Sequence, residues 1–131
     1  MKQEGKELLL KDLCARLPYG VRYKHLVWDD EHGEDYIATI IYSINSDGYV
    51  KNCYDDETVY IDDVHPYLFP LSSITEEQTE ELINLINTGQ NDNNEFMRSL
   101  CRIEFYHKHH FDYMGLIPMG LAIDATGLNI Y

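Results

Sequence analysis

The sequence predicts one α+β domain spanning residues 1–131. The domain is expected to contain an antiparallel meander of about four strands, with an N-terminal helix and two C-terminal helices packed mainly on one side of the sheet. Three observations predict this fold. Apolar residues recur at helical spacing in the first and last parts of the chain, and they alternate with period two in between. The loops that join the alternating segments are too short for parallel crossovers.

The first predicted helix covers residues 6–17 and carries one apolar stripe at the spacing i, i+3, i+4, i+7. The stripe consists of Leu9, Leu10, Leu13, Cys14 and Leu17. Pro18 lacks a backbone donor and restricts the residue before it, so the helix is expected to end there. Gly20 then permits the turn into the sheet.

Period-two alternation begins at residue 21 and predicts four strands, at about 21–28, 35–44, 49–54 and 59–64. Gly33 in the first connection and Asp47-Gly48 in the second supply turn chemistry that is typical of hairpins. The second strand is apolar on both faces, with Tyr36 and Tyr42 on the same one. Such a strand is usually central in its sheet.

The segment "HPYLFPLSS" is expected to be extended, because Pro66 and Pro70 fix the backbone there. A helix should follow it. Thr75 and Gln78 have the spacing of a capping box, and Gly89 is expected just beyond the last helical turn.

A last long helix is predicted at about residues 95–110, capped by Asp92 or Asn94. A short helical turn at 113–118 and a brief extended segment at 121–125 are expected to finish the fold.

Charge is the unusual feature of the composition. Ten Lys and Arg residues stand against 23 Asp and Glu residues, which gives a formal net charge of −13. Such a surface repels phosphate, which argues against direct binding of nucleic acid or anionic membranes. Partners chosen by electrostatics should be basic proteins or cations.

The same sequence predicts a cytoplasmic location. No apolar run approaches the roughly 18 residues that a membrane helix needs, and the first residues carry no apolar stretch of signal-peptide length. Cys14, Cys53 and Cys101 lie far apart and form no C-x-x-C pair. We therefore expect three reduced thiols.

The stretch "EFYHKHHFDYMG" raises the question of a metal site, since it holds three histidines within four residues. At about 100° per residue, Glu104, His107 and His110 share one helix face, while His109 points away and is expected to be solvated. This E-x-x-H-x-x-H pattern gives weak candidates for metal ligands, because neither a second copy nor H-E-x-x-H is present. The structural interpretation is favoured. In this interpretation His107 lies in the apolar stripe of the last helix, among Phe96, Leu100 and Ile103, and bonds Glu104 or a backbone carbonyl. No metal or cofactor is expected.

The hypothesis preferred from the sequence is a non-enzymatic protein that binds another protein through an acidic, tyrosine-bearing surface. Tyrosine is enriched at interfaces, and the chain contains eleven. The candidate interaction residues are Tyr36, Tyr42, Asp55, Asp56 and Glu57. Two alternatives stay open. One is an acidic decoy that mimics DNA and occupies a basic nucleic-acid enzyme, and the other is a metal-dependent enzyme that uses Glu104, His107 and His110.

Three stretches resemble a known group of proteins: "LLLKDLCARLPYGV" (8–21), "VHPYLFPLSSITEEQ" (64–78) and "HHFDYMGLIPMGLAIDA" (109–125). They are similar to small proteins of no assigned activity that are encoded by Bacteroidales gut bacteria and their phages or mobile elements. The resemblance implies an intracellular accessory protein of a mobile element. The resemblance implies no functional residues, because the three similar stretches contain no known active-site motif.

Overall fold

The computed structural model describes residues 2–55, 57–88 and 95–131. The predicted α+β class is confirmed. The helices are α1 (Gln3–Arg16), α2 (Glu76–Thr88) and α3 (Glu95–Lys108). The strands are β1 (Arg22–Asp29), β2 (Gly33–Ile44), β3 (Tyr49–Asn52), β4 (Thr58–Tyr60), β5 (Tyr67–Pro70), β6 (Phe111–Asp112) and β7 (Ile123–Asp124). The predicted helix caps at Gly89, Asp92 and Asn94, and the candidate Asp56, lie outside the described residues.

The main sheet is the predicted antiparallel meander, with strand order β1-β2-β3-β4. The β1–β2 hairpin is long and regular, running from the pair Arg22 and Ile40 to the pair Asp29 and Gly33. β3 pairs only with residues 41–44 of β2, and the register shifts within this stretch, between Ile41 and Ser43. The tip of the hairpin therefore extends past β3.

The predicted fourth strand is only partly correct. β4 ends at Tyr60, and residues Ile61–Asp63 form a 3-10 turn instead of continuing the strand. The side chains of Ile61 and Val64 are both fully buried. Val59 and Ile61 gave the period-two signal, but Val64 follows Ile61 by three residues, which is the spacing of one 3-10 turn.

A second, smaller sheet was not predicted. β5 lies between β6 and β7 and pairs with both in parallel. The segment held extended by Pro66 and Pro70 is thus a central strand rather than a connection. Pro66 contributes its carbonyl, which accepts the Ile123 N–H at 2.8 Å.

The hydrophobic core divides into two clusters. In the larger one, Leu9 and Leu13 of α1 pack against the inner face of the main sheet, which includes Val21, Ile41 and Val50. The smaller one joins α2 and α3 to the second sheet. Its buried members are Leu82, Phe105 and Phe111. The two clusters place α1 on the main sheet and the last two helices on the small one.

The start of α2 follows the predicted capping box. The Gln78 N–H donates to Thr75 Oγ1 at 3.1 Å, and the Thr75 N–H donates to Gln78 Oε1 at 3.0 Å. Two otherwise unpaired helix donors are satisfied in this way. Over the described ranges, none of the three helices has the length and apolar character needed to cross a membrane.

Candidate functional site: a buried histidine network beside an acidic groove

The E-x-x-H-x-x-H pattern does not form a site. α3 ends at Lys108, and His110 lies beyond it with a φ of 62°. The His110 ring stacks on Tyr131 with 3.6 Å between ring centroids, while Glu104 is exposed. The projection onto one helix face was wrong, because the helix stops before the third residue of the pattern.

His107 is buried, as predicted, but its partner and neighbours differ from the expectation. Its Nε2 lies 2.7 Å from the Tyr113 hydroxyl rather than against Glu104, and the Tyr19 ring packs beside it. The residues expected around it are exposed, namely Phe96, Leu100 and Ile103. Only the last turn of that apolar stripe reaches the core. Burial lowers the His107 pKa, and the nearby Arg16 charge lowers it further.

His109 was expected to be solvated and is instead half-buried. Its Nε2 lies 3.3 Å from Glu81 Oε1 on α2, and its ring centroid is 4.5 Å from that of Phe105. The neighbouring helix, which a single-helix projection does not include, covers this side of α3.

The side chains that do converge lie on the inner face of the main sheet. Tyr23 and His25 alternate inward along β1, and Asn52 points inward from the end of β3; all three are buried. The Tyr23 hydroxyl lies 3.0 Å from His25 Nδ1 and accepts a hydrogen bond from Asn52 Nδ2 at 3.1 Å. Burial is the main reason that the Tyr23 pKa rises to about 12, so this hydroxyl keeps its proton.

Asp55 closes the network. Its Oδ2 lies 2.8 Å from His25 Nε2, and its Oδ1 accepts from Asn52 Nδ2 at 2.9 Å. Asn52 Oδ1 in turn accepts the N–H groups of Tyr54 and Asp55, which fixes the turn after β3. Desolvation pushes the Asp55 pKa upward, but hydrogen bonds from His25, the Glu57 N–H and Asn52 outweigh it and lower the pKa to about 2. Asp55 is therefore a carboxylate at neutral pH.

A groove of about 920 Å³ lies at the tip of the β1–β2 hairpin, beside this turn. We call it the acidic groove. Its carboxylates come from Asp29, Asp30, Glu31, Asp35 and Asp55. Trp28 and Tyr54 also line it and are 71% and 66% exposed. Val27 and Ile37 supply the apolar part of its wall.

Of the candidate interaction residues, Asp55 lines the acidic groove and Glu57 lies beside it in sequence. Tyr36 and Tyr42 are both exposed and lie about 20 Å apart along β2, and neither lines the acidic groove. Tyr36 instead lies opposite Leu26, with Lys24 Nζ 4.4 Å from its ring centroid.

The sequence did not predict a site at His25, Tyr23 and Asn52. One feature of the sequence did point to them: Tyr23 and His25 are two positions apart on β1, so both face the core, and a buried histidine needs a hydrogen-bond partner. That partner, Asp55, is thirty positions away, and the local pattern does not identify it. Comparison of the chain with protein-family models, curated proteins and solved structures found no match.

Proposed function

We propose that this chain is a binding module that receives a lysine- or arginine-rich segment of a protein partner in the acidic groove. The observation that carries the proposal is the set of five carboxylates around one concavity, with an exposed tryptophan and an exposed tyrosine in its lining. Like charges this close repel one another, and a cationic side chain relieves that repulsion.

The chemistry of the groove suits a guanidinium or ammonium group. Carboxylates accept charge-assisted hydrogen bonds from such groups, and the faces of Trp28 and Tyr54 attract cations. Among the described residues that line the groove, His32 is the one basic residue, and its Nδ1 is already 2.9 Å from Asp29 Oδ2. The groove therefore retains an excess of negative charge for a partner. The net charge of −13 would also attract a basic protein from a distance.

The single tryptophan of the chain makes the proposal measurable. A short arginine–glycine peptide, capped at both ends, is titrated into the protein while Trp28 fluorescence is followed. We expect a saturable change whose apparent affinity falls as salt is added, since the Debye length is about 8 Å at physiological ionic strength. A peptide with glutamine in place of arginine should give no such change.

A matched pair of variants separates the groove from overall charge. Asp30→Asn with Glu31→Gln removes two charges from the groove, while Glu77→Gln with Glu80→Gln removes two from the exposed side of α2. At about 0.2–1 kcal/mol for each exposed charge, the groove variant should bind roughly 2- to 30-fold more weakly. The α2 variant should bind like the wild type. Equal loss in both variants, or no saturation in the wild type, would contradict the proposal.

The DNA-decoy hypothesis remains a prediction of the sequence. It differs in its readout, because a decoy would displace duplex DNA from a basic nucleic-acid enzyme, whereas a module for a basic segment need not compete with DNA. An accessory role in a mobile element is also proposed, and its support is the similarity of residues 8–21, 64–78 and 109–125 to the Bacteroidales proteins. The metal-dependent enzyme based on Glu104, His107 and His110 is not proposed, because those side chains do not converge.

A further inference from the structure

Three potential ligand atoms converge beneath β1. His25, Asp55 and Glu57 each offer one, and all three lie within 4.8 Å of one another. His25 Nε2 is 2.8 Å from Asp55 Oδ2 and 3.9 Å from Glu57 Oε2. The imidazole is 3% exposed, so its nitrogen is held in place by the sheet while facing two carboxylates.

The groups behind these atoms also hold them in place. Tyr23 bonds the other ring nitrogen of His25 at 3.0 Å, which fixes the orientation of the ring. Asn52 bonds the other oxygen of Asp55 at 2.9 Å, which leaves Oδ2 facing His25. Protein metal sites have this construction, in which a hydrogen-bond partner on the far side orients each ligating histidine and carboxylate.

The spacing is close to that of tetrahedral coordination. Metal–ligand distances near 2.0–2.1 Å put neighbouring ligand atoms about 3.4 Å apart, and the two distances from His25 Nε2, 2.8 and 3.9 Å, lie on either side of this value. An ion would draw Glu57 toward His25 Nε2 and move Asp55 away from it. The two side chains are 65% and 30% exposed, so each carboxylate can shift by the roughly half an ångström required.

One side of the cluster opens to a cavity. His25 and Glu57 line a cavity of about 580 Å³ together with Val59, Asp63 and His65. Because two of the three ligands line this space, a fourth coordination position can open into it for water or for a small ligand.

We infer that His25 Nε2, Asp55 Oδ2 and Glu57 Oε2 bind one divalent transition-metal ion and leave one coordination position open to this cavity. One imidazole and two carboxylates suit Zn²⁺ and its first-row neighbours better than Mg²⁺ or Ca²⁺, which take oxygen ligands. The ion replaces the hydrogen bond between His25 Nε2 and Asp55. The neutral imidazole then carries its proton on Nδ1, and this N–H donates a hydrogen bond to the Tyr23 oxygen.

The direct test is a zinc titration of untagged, full-length protein after removal of metal by a chelator, with a chromophoric chelator as competitor. We expect one equivalent of Zn²⁺ to bind and the melting temperature to rise, because a ligand of the folded state stabilises it. Glu57→Gln is the preferred variant, because this exposed side chain can change without disturbing the core. It should weaken zinc binding at least about tenfold. No bound equivalent in the wild type would overturn the inference.

Two controls separate this cluster from other ligands. His32→Ala removes an exposed histidine that also pairs with an aspartate, and Cys53→Ser removes an exposed thiol close to Asp55 in sequence. Both variants should bind zinc like the wild type. Loss of the equivalent in either one, with Glu57→Gln unaffected, would assign the metal elsewhere and refute the inference.

The inference does not depend on the proposed function, although Asp55 belongs to both sites. Glu57 does not line the acidic groove, so Glu57→Gln should lose zinc and retain the arginine peptide. Asp30→Asn with Glu31→Gln should do the reverse. The four measurements therefore report failure of either idea separately.

Discussion

The fully buried ion pair between Asp12 and Arg16 offers a sharp test of how α1 is held to the fold. Arg16 Nε lies 2.7 Å from Asp12 Oδ2, and both side chains are 0% exposed. The other end of the guanidinium donates to the Phe111 carbonyl of the second sheet and lies over the Tyr113 ring. Arg16 thus connects α1 to β6, which is 95 positions away in the chain.

Arg16→Met keeps most of the side-chain volume and removes the charge. It leaves the Asp12 carboxylate buried without its cation, and breaking a buried pair in this way costs about 3–5 kcal/mol. A domain of this size is stable by only about 5–15 kcal/mol. Urea unfolding followed by circular dichroism should therefore show a clear loss of stability. Asp12→Leu combined with Arg16→Met should recover much of it, because the stranded charge is gone.

The pH dependence of the stability lost in Arg16→Met gives an independent check. Burial raises the Asp12 pKa, and Arg16 opposes that rise, so Arg16→Met should raise the pKa further. A folded-state carboxyl pKa above the unfolded value means that the folded protein binds the proton more tightly. Stability is then gained as the pH falls from the raised pKa toward the unfolded value.

The stability lost in Arg16→Met relative to the wild type should consequently shrink as the pH is lowered from neutral toward the unfolded pKa of an aspartate, while the double variant should show no such trend. A loss of less than about 1 kcal/mol at neutral pH, or a deficit that grows on acidification, would refute this reasoning.

Three further predictions concern stability. Asn52→Ala should cost about 2–4 kcal/mol in urea unfolding, because the buried amide bonds side chains and backbone on both sides of the turn after β3. Gly48→Ala should be more destabilising than Gly20→Ala in thermal unfolding: both have positive φ, but a Cβ at Gly48 would lie 3.2 Å from Ile61 Cγ2, whereas one at Gly20 meets no atom within 4 Å. Burial lowers the His110 pKa to about 4. The stability that the neutral His110 contributes to the folded state is therefore complete above its unfolded pKa and is lost as the pH falls from about 6.5 toward 4. The urea midpoint of His110→Gln should decline less than that of the wild type over this range.

Much of the fold was predictable from local periodicity. α1, the β1–β2 hairpin and the capping box of α2 each follow from residues close together in sequence, and the structure has them where the pattern placed them. The second sheet was not predictable in this way. β6 and β7 contain two residues each and pair with a strand more than forty positions away. Segments this short carry no period, and their pairing depends on tertiary packing.

In the candidate site, too, local features were predictable and long-range contacts were not. The burial of His107 was predictable, because a helical projection reports direction. Its neighbours were not, because only the last turn of α3 reaches the core. The network around His25 depends on a turn that brings Asp55 back under β1, and no local sequence pattern predicts this contact between residues thirty positions apart. The acidic groove likewise combines a run at residues 29–31 with Asp35 and Asp55, which only the fold brings together.

Binding of a basic segment in the acidic groove can be observed directly by mapping amide and indole NMR shifts during titration with the arginine–glycine peptide. We expect the largest shifts at the Trp28 indole N–H, at the backbone amides of residues 29–35 and at Tyr54, with the glutamine peptide causing none. Shifts centred on the acidic residues of α2, or spread evenly over the surface without saturation, would contradict it.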